Sequence, residues 1–170
     1  MTGHVLLSHG LESGPNATKV TALAAVAESL GWRTTRPDFR DLDMTRDVNR
    51  IEDRITRLKA SVVPGEPLVL AGSSMGAFAS GLASLDVPCK GIFLIAPPLA
   101  IPDFVRRFDL ATVPTAIVHG WHDELIPAHE IVAFARQRSI PLTLVDDSHR
   151  LSAHVDIIAR WFGLFLEGLR

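Results

Sequence analysis

One serine of this chain lies in a setting that could support nucleophilic chemistry. Ser74 is the centre of a Gly-x-Ser-x-Gly pattern at residues 72–76, which follows the apolar run 68–71 and precedes a segment compatible with a helix. A serine on such a sharp strand-to-helix turn is held in a strained backbone conformation, and its neighbours two positions away must be small for the chain to fold back. The N-terminus of the following helix favours developing negative charge. The pattern predicts a nucleophile, against the alternatives of a flexible loop or a helix N-cap.

A carboxylate and a histidine follow later strand-like segments in the order that such a nucleophile requires. Asp123 and Glu124 come after the fifth of these segments, and His149 comes after the sixth. At neutral pH a serine hydroxyl is a weak nucleophile and needs a base within hydrogen-bonding reach. A neutral imidazole supplies that base, and a carboxylate fixes its tautomer. We therefore expect Ser74 to be the nucleophile, His149 the base and Asp123 the orienting acid, with Glu124 as the competing carboxylate.

A metal or phosphate site is a competing interpretation of some of these residues. His119 and His122 lie close to Asp123 in the sequence, so three potential metal ligands occur together. Both histidines lie in the turn that carries the acid, and we expect no metal and no other cofactor. Residues 72–76 are not followed by the Lys-Ser/Thr of a phosphate loop, and no Gly-x-Gly-x-x-Gly opens the first helix. We expect His9, after the first strand, to support its turn rather than to act on a substrate.

Segments of strand length alternate with segments of helix length along the chain. Strands are predicted at residues 4–8, 32–36, 68–71, 91–96, 115–119 and 141–145. Helices are predicted at residues 16–30, 45–62, 75–85, 127–137 and 151–169. This order predicts a single domain over residues 1–170, a three-layer α/β/α sandwich with a mostly parallel six-stranded sheet. Because ligands bind at the carboxyl ends of such strands, Ser74, Asp123 and His149 should lie together at one edge of the sheet.

Local signals give further expectations for the helices. Asn16 is a candidate N-cap for the first helix, and the proline-rich connection 97–108 has room for a short helix. The helix at 45–62 has one apolar stripe, formed by Val48, Ile51, Ile55, Leu58 and Val62. Its opposite face is interpreted as a solvated surface, formed by Arg50, Asp53, Arg54 and Arg57.

Composition excludes several classes of protein. Of the 170 residues 47% are apolar, and the formal net charge is -2, so no electrostatic footprint for nucleic acid or an anionic membrane is present. The single cysteine, Cys89, excludes an internal disulfide and favours a reducing compartment. Residues 1–10 lack the pattern of a secretory signal, and no apolar run approaches the roughly 18 residues of a membrane span. We expect a soluble protein of the cytoplasm without nucleic-acid or membrane partners.

These motifs resemble those of the α/β-hydrolase family. The likeness is greatest to small, nearly lidless serine hydrolases related to the YqiA-type esterases and the retinoblastoma-binding-protein-9-like hydrolases, and it spans nearly the whole chain. The likeness rests on four turns that follow strands. The first is His9-Gly10, and the second is the turn at residues 72–76, which in this family is called the nucleophile elbow. The third is the acid turn, with His119-Gly120, Asp123 and Pro127, and the fourth is the base loop, with Asp147 and His149. The family sheet usually has eight strands, so the resemblance implies a minimal version that lacks the first two strands and a lid.

The resemblance also implies a reaction. It implies a serine hydrolase that cleaves a small ester or thioester through an acyl-enzyme on Ser74, with the backbone N–H groups of Leu11 and Met75 as the oxyanion hole. An acyltransferase or a peptidase would use the same triad, and a non-catalytic binding module could retain the same fold. The partner implied is a small acyl compound.

Overall fold

Six parallel strands form one sheet in the computed structural model, which describes residues 2–170. The strands are His4–Ser8 (β1), Arg33–Thr35 (β2), Leu68–Ser73 (β3), Gly91–Ile95 (β4), Thr115–Gly120 (β5) and Leu142–Val145 (β6). Their order across the sheet is β2-β1-β3-β4-β5-β6, and every neighbouring pair is parallel. The α/β fold with a parallel six-stranded sheet that the sequence predicts is therefore confirmed.

Within residues 2–170, six α-helices connect and cover these strands. They are Thr18–Ser29 (α1), Arg40–Asp43 (α2), Arg50–Ala60 (α3), Met75–Ala83 (α4), Ala128–Arg138 (α5) and Val155–Gly168 (α6), with a 3₁₀ turn at Ser152–His154 before α6. No helix within residues 2–170 is both long enough and apolar enough to cross a bilayer.

The sheet is buried on both faces by helices. Successive side chains of a strand point to opposite faces, so Val5 and Val69 join the core under α1 and α6. Leu6 and Leu70 join the core under α3, α4 and α5. This double burial explains why β1, β3 and β4 are apolar along nearly their whole length.

The strand order reverses between β1 and β3. From β1 the chain moves outward to β2, whereas β3 begins the other half of the sheet, and Ser8 of β1 lies in register with Gly72 of β3. A crevice opens outside the carboxyl ends of parallel strands at such a switch point. The segments that leave β1 and β3, which carry Gly10 and Ser74, therefore border one crevice.

Several helix predictions differ from the structure. The helix predicted from residue 45 begins only at Arg50, because Arg46 has a φ of 53° and the Asp47 side chain accepts the Asn49 N–H in a turn. Asn16 does not cap α1, whose N-cap is Ala17 without a side-chain hydrogen bond. No helix forms in residues 97–108, where three of the residues are prolines and lack an N–H.

One residue of the predicted solvated face is buried. Arg54 is 1% exposed, whereas Arg50, on the same helix, has a side chain that is 52% exposed. Arg54 lies three residues after Ile51 and four before Leu58, so it borders the apolar stripe of α3. That side of the helix is covered at this point by α2 and by the segment that leaves β1, so the prediction of a solvated arginine is wrong.

Candidate active site

The turn between β3 and α4 holds Ser74 in a strained conformation. Its φ and ψ are 54° and -116°, a region that residues other than glycine rarely adopt. The Ser74 N–H donates to the carbonyl of Ile95 at the end of β4, at 2.9 Å. A Cβ atom on Gly72 would overlap the Gly76 carbonyl, and one on Gly76 would overlap the Ser8 carbonyl. Close backbone approach therefore accounts for both glycines of the pattern.

A continuous chain of hydrogen bonds joins Ser74, His149 and Asp123. The Ser74 Oγ lies 2.9 Å from the His149 Nε2, and the His149 Nδ1 lies 2.7 Å from the Asp123 Oδ2. Because a carboxylate can only accept, the His149 Nδ1 carries the proton and its Nε2 can accept the serine hydroxyl proton. The structure therefore brings together the three side chains that the sequence predicts as nucleophile, base and acid.

The Asp123 carboxylate is enclosed and fully hydrogen-bonded. Its side chain is 0% exposed, and its Oδ1 accepts the N–H groups of Leu125 at 2.9 Å and Ile126 at 2.7 Å. Burial alone would raise the pKa of Asp123, but the hydrogen bonds from His149 and from these two amides outweigh burial and hold the pKa below its ordinary value. Asp123 is thus an ionised acceptor that orients the imidazole.

Glu124, the competing carboxylate, contacts a different part of His149. Its Oε2 accepts the backbone N–H of His149 at 3.1 Å, whereas the ring nitrogen is bound by Asp123. Glu124 therefore anchors the loop that carries the imidazole. Within the same loop, Asp147 accepts the N–H of Ala153 at 3.1 Å and contacts His154 at 2.8 Å.

His119 supports the acid, a role that the sequence does not reveal. Its buried Nε2 donates to the Ile126 carbonyl at 2.9 Å and lies 3.3 Å from the Asp123 Oδ2. Burial lowers the pKa of His119, so the ring is neutral and acts as a donor beside the carboxylate. From the sequence, His119 is expected to lie in the acid turn and not to bind a metal. Within residues 2–170 no three His, Cys, Asp or Glu side chains converge in a way that could hold a metal ion.

The two backbone amides expected to form an oxyanion hole border the same cavity as Ser74 and His149. Leu11 and Met75 both line this cavity. Met75 is the first residue of α4, where the N–H has no partner inside the helix and the helix dipole is positive. Among residues 2–170 no backbone carbonyl accepts the N–H of Leu11 or of Met75, so both donors are available.

The cavity has a volume of about 1850 Å³, more than the ~300–1,000 Å³ of ordinary ligand pockets. One wall comes from α2, the turn after it, α3 and the proline-rich connection, and it carries apolar side chains such as Leu42 and Val48 as well as charged ones such as Arg46. Its other wall comes from α1 and the base loop, and includes Lys19, whose Nζ donates to the Arg150 carbonyl at 2.6 Å.

Solved structures with the same fold are α/β hydrolases. A protein of Xanthomonas campestris pv. campestris, assigned to the alpha/beta hydrolase superfamily, is 49% identical to this chain, with 98% of this chain and 99% of that one covered and a TM-score of 0.92. Mouse alpha/beta hydrolase domain-containing protein 10 is 18% identical, with 100% and 92% covered and a TM-score of 0.82. An esterase of Pyrococcus furiosus is 15% identical, with 98% and 83% covered and a TM-score of 0.73. The last two likenesses concern the fold alone. No protein-family model and no curated protein matches the chain.

Proposed function

The chain belongs to the α/β-hydrolase family, and from that premise we propose that it is a serine hydrolase cleaving a small ester or thioester through an acyl-enzyme on Ser74. The observation that carries this proposal is the hydrogen-bonded chain from the Asp123 carboxylate through His149 to the Ser74 hydroxyl. It supplies a nucleophile, a base for its proton and a carboxylate that stabilises the imidazolium. The strained elbow, which lifts the serine out of the sheet, supports the same conclusion.

In the acylation step the Ser74 Oγ attacks the substrate carbonyl carbon while the His149 Nε2 takes the hydroxyl proton. The carbonyl oxygen becomes an oxyanion, which accepts hydrogen bonds from the Met75 and Leu11 N–H groups. The bond to the leaving oxygen or sulfur then breaks, and that atom departs with the electron pair and receives the proton from His149. The products of this step are the free alcohol or thiol and an ester of Ser74.

In the deacylation step a water molecule replaces the leaving group. His149 takes a proton from this water as its oxygen attacks the acyl carbon, and the same two amides hold the second oxyanion. Collapse of this intermediate returns the electron pair and the proton to the Ser74 Oγ and releases the carboxylic acid. The proposed steps use only side chains, backbone amides and water.

Labelling with a fluorophosphonate, followed by intact-mass measurement, tests this function. The wild type should gain one phosphonyl group, Ser74→Ala none, and His149→Ala and Asp123→Asn should label slowly. Far-UV circular dichroism of each variant controls for folding. A folded wild type that never labels would instead support a non-catalytic binding module.

The chemical fate of the acyl group separates the remaining alternatives. A hydrolase releases the free acid even when an acceptor alcohol is added, whereas an acyltransferase forms the new ester. A peptidase cleaves a matched peptide or amide substrate at a measurable rate, whereas an esterase cleaves only the ester of the same acyl group. Product analysis by mass spectrometry with both additions distinguishes these activities.

A further inference from the structure

Arg54 is a buried arginine whose guanidinium reaches the segment that follows β1. Its Nη1 donates to the carbonyl of His9 at 2.8 Å, and its Nη2 donates to the carbonyl of Gly10 at 3.3 Å. Arg54 is 1% exposed, so these bonds are sheltered from water. Removing a charged group from water is costly unless it is paired, so the burial of Arg54 needs a structural explanation.

Two further contacts hold this guanidinium in one orientation. The Asp43 carboxylate accepts from the Nε at 2.8 Å and from the Nη2 at 2.6 Å, as a two-pronged ion pair. The Phe39 ring lies against the guanidinium plane, with the Cζ of Arg54 4.5 Å from the ring centroid. Four hydrogen bonds and the contact with the Phe39 ring thus fix the orientation of the guanidinium group.

His9 binds the same Gly10 carbonyl from a second direction. The Phe39 N–H donates to the His9 Nε2 at 3.0 Å, so this nitrogen is an acceptor and the ring proton lies on Nδ1. The Nδ1–H donates to the Gly10 carbonyl at 2.7 Å. Burial lowers the pKa of His9 and keeps the ring neutral in this tautomer. The Gly10 carbonyl oxygen therefore accepts two hydrogen bonds from buried side chains.

The Gly10 carbonyl and the Leu11 N–H belong to one peptide group. That group is planar and trans, so its N–H points opposite to its carbonyl oxygen. Anchoring the oxygen therefore sets the direction of the N–H, and hydrogen bonds to the oxygen polarise the amide as a donor. Leu11 itself is 51% exposed and lines the cavity, so its own side chain supplies little restraint.

We infer that Arg54, held by Asp43 and assisted by His9, is a positioning residue that aims the Leu11 N–H at the oxyanion. The inference rests on the proposed function, because it assigns a support to one of the two proposed oxyanion donors. Arg54 would not touch the substrate's reacting atoms; it would act through the Gly10–Leu11 peptide. Its loss should weaken binding of the transition state more than binding of the substrate.

The test compares Arg54→Met with a matched variant on the same helix. Arg57 also lies over the Phe39 ring, pairs with Asp41 and donates to the Asp38 carbonyl, but among residues 2–170 its guanidinium makes no hydrogen bond to residues 9–11. Arg57→Met therefore controls for the loss of an arginine from this face of α3. The pair Arg54→Met/Asp43→Asn avoids leaving an unpaired carboxylate, should the single variant fail to fold.

Three measurements are made on each folded variant. The first gives kcat and KM for a short-chain p-nitrophenyl ester. The second gives the inhibition constant of a trifluoromethyl ketone, whose adduct with serine carries an oxyanion. The third is the ¹⁵N chemical shift of the Leu11 amide. Loss of a whole oxyanion donor costs roughly 10²–10³-fold in kcat, so misdirection of one should cost about 10- to 100-fold. For Arg54→Met we expect that loss in kcat and a parallel rise in the inhibition constant, while KM stays within about threefold of wild type. The ¹⁵N chemical shift of the Leu11 amide should also differ from that of wild type. Arg57→Met should keep all four values near those of wild type.

The possible failures are distinguishable. A folded wild type that neither labels nor turns over substrate overturns the proposed function, and this inference with it. An active wild type whose folded Arg54→Met variant, or whose folded double variant, keeps kcat and the inhibition constant overturns this inference alone. Equal losses in Arg54→Met and Arg57→Met would also overturn it, because the effect would then be a general one of α3.

Discussion

The His149 Nδ1 lies 2.7 Å from an Asp123 carboxylate that is 0% exposed, while the neighbouring Glu124 binds only the backbone N–H of His149. Two adjacent acids thus serve one histidine in different ways. Asp123 determines which ring nitrogen is protonated, and Glu124 determines where the loop lies. Substitution of each should therefore affect catalysis to very different extents.

Asp123→Asn should abolish most of the activity. An asparagine side chain can donate its NH₂ to the His149 Nδ1 and so favour the wrong tautomer, which in a comparable triad costs roughly 10⁴-fold in kcat. KM should change little, because Asp123 does not line the cavity. Glu124→Gln is the matched control and should cost less than about tenfold, the value of one exposed hydrogen bond. Steady-state hydrolysis of a p-nitrophenyl ester measures both, and equal losses would contradict the assignment of the acid.

Three buried histidines should make the folded protein sensitive to mild acid. His4, His9 and His119 are each 1% exposed or less, and burial lowers the pKa of each below the ordinary 6.5. As the pH falls below 6.5, the unfolded chain binds protons that the folded protein does not. The free energy of unfolding should therefore be highest above that pH and decline as the pH falls toward the lowered pKa values, by up to about 1.4 kcal/mol per pH unit for each histidine.

Urea unfolding between about pH 7.5 and 5.5 measures this dependence, the range in which histidines titrate. His119→Gln, which keeps a donor beside Asp123, should make the decline shallower. His129→Gln, at an exposed position of α5, is the matched control for the replacement of a histidine. An unchanged slope in His119→Gln would show that protonation of this ring is not coupled to unfolding.

The nucleophile elbow should carry a measurable cost in stability. Ser74 has a φ of 54°, which glycine adopts at far lower energy than alanine does. Ser74→Gly and Ser74→Ala should both be inactive, but the glycine variant should be more stable than the alanine variant by about 1 kcal/mol, after allowing for the greater entropy of unfolded glycine. Urea denaturation of the two variants decides this, and a less stable glycine variant would indicate that the elbow is relaxed.

The sequence predicts most of this fold because its signals are local. Burial on both faces makes the central strands apolar, and the elbow pattern reports a backbone turn through small residues on either side of Ser74. The positions of Asp123 and His149 then follow from strand order, because parallel strands end at one edge. The proposed nucleophile, acid and base can all be selected without knowledge of tertiary contacts.

The supporting residues cannot be selected in that way. Arg54 borders the apolar stripe of an amphipathic helix, and only its contacts with Asp43 and with residues 9 and 10, the latter more than 40 positions away, show that this side is covered. His119 is one polar residue at the end of β5, and its partners are a carbonyl and a carboxylate in the following turn. Periodicity reports which face of an element is apolar, but it does not report what lies against the other face.

The parts of the proposed site differ in how firmly the sheet holds them. Ser74 leaves β3, which is buried along its whole length between two neighbouring strands, whereas His149 follows β6, an edge strand in which only Val145 is fully buried. Edge elements with few buried residues open at lower free energy than central ones. On warming, the base should therefore leave its place before the elbow unfolds, so activity should be lost below the temperature of global melting and should return on cooling.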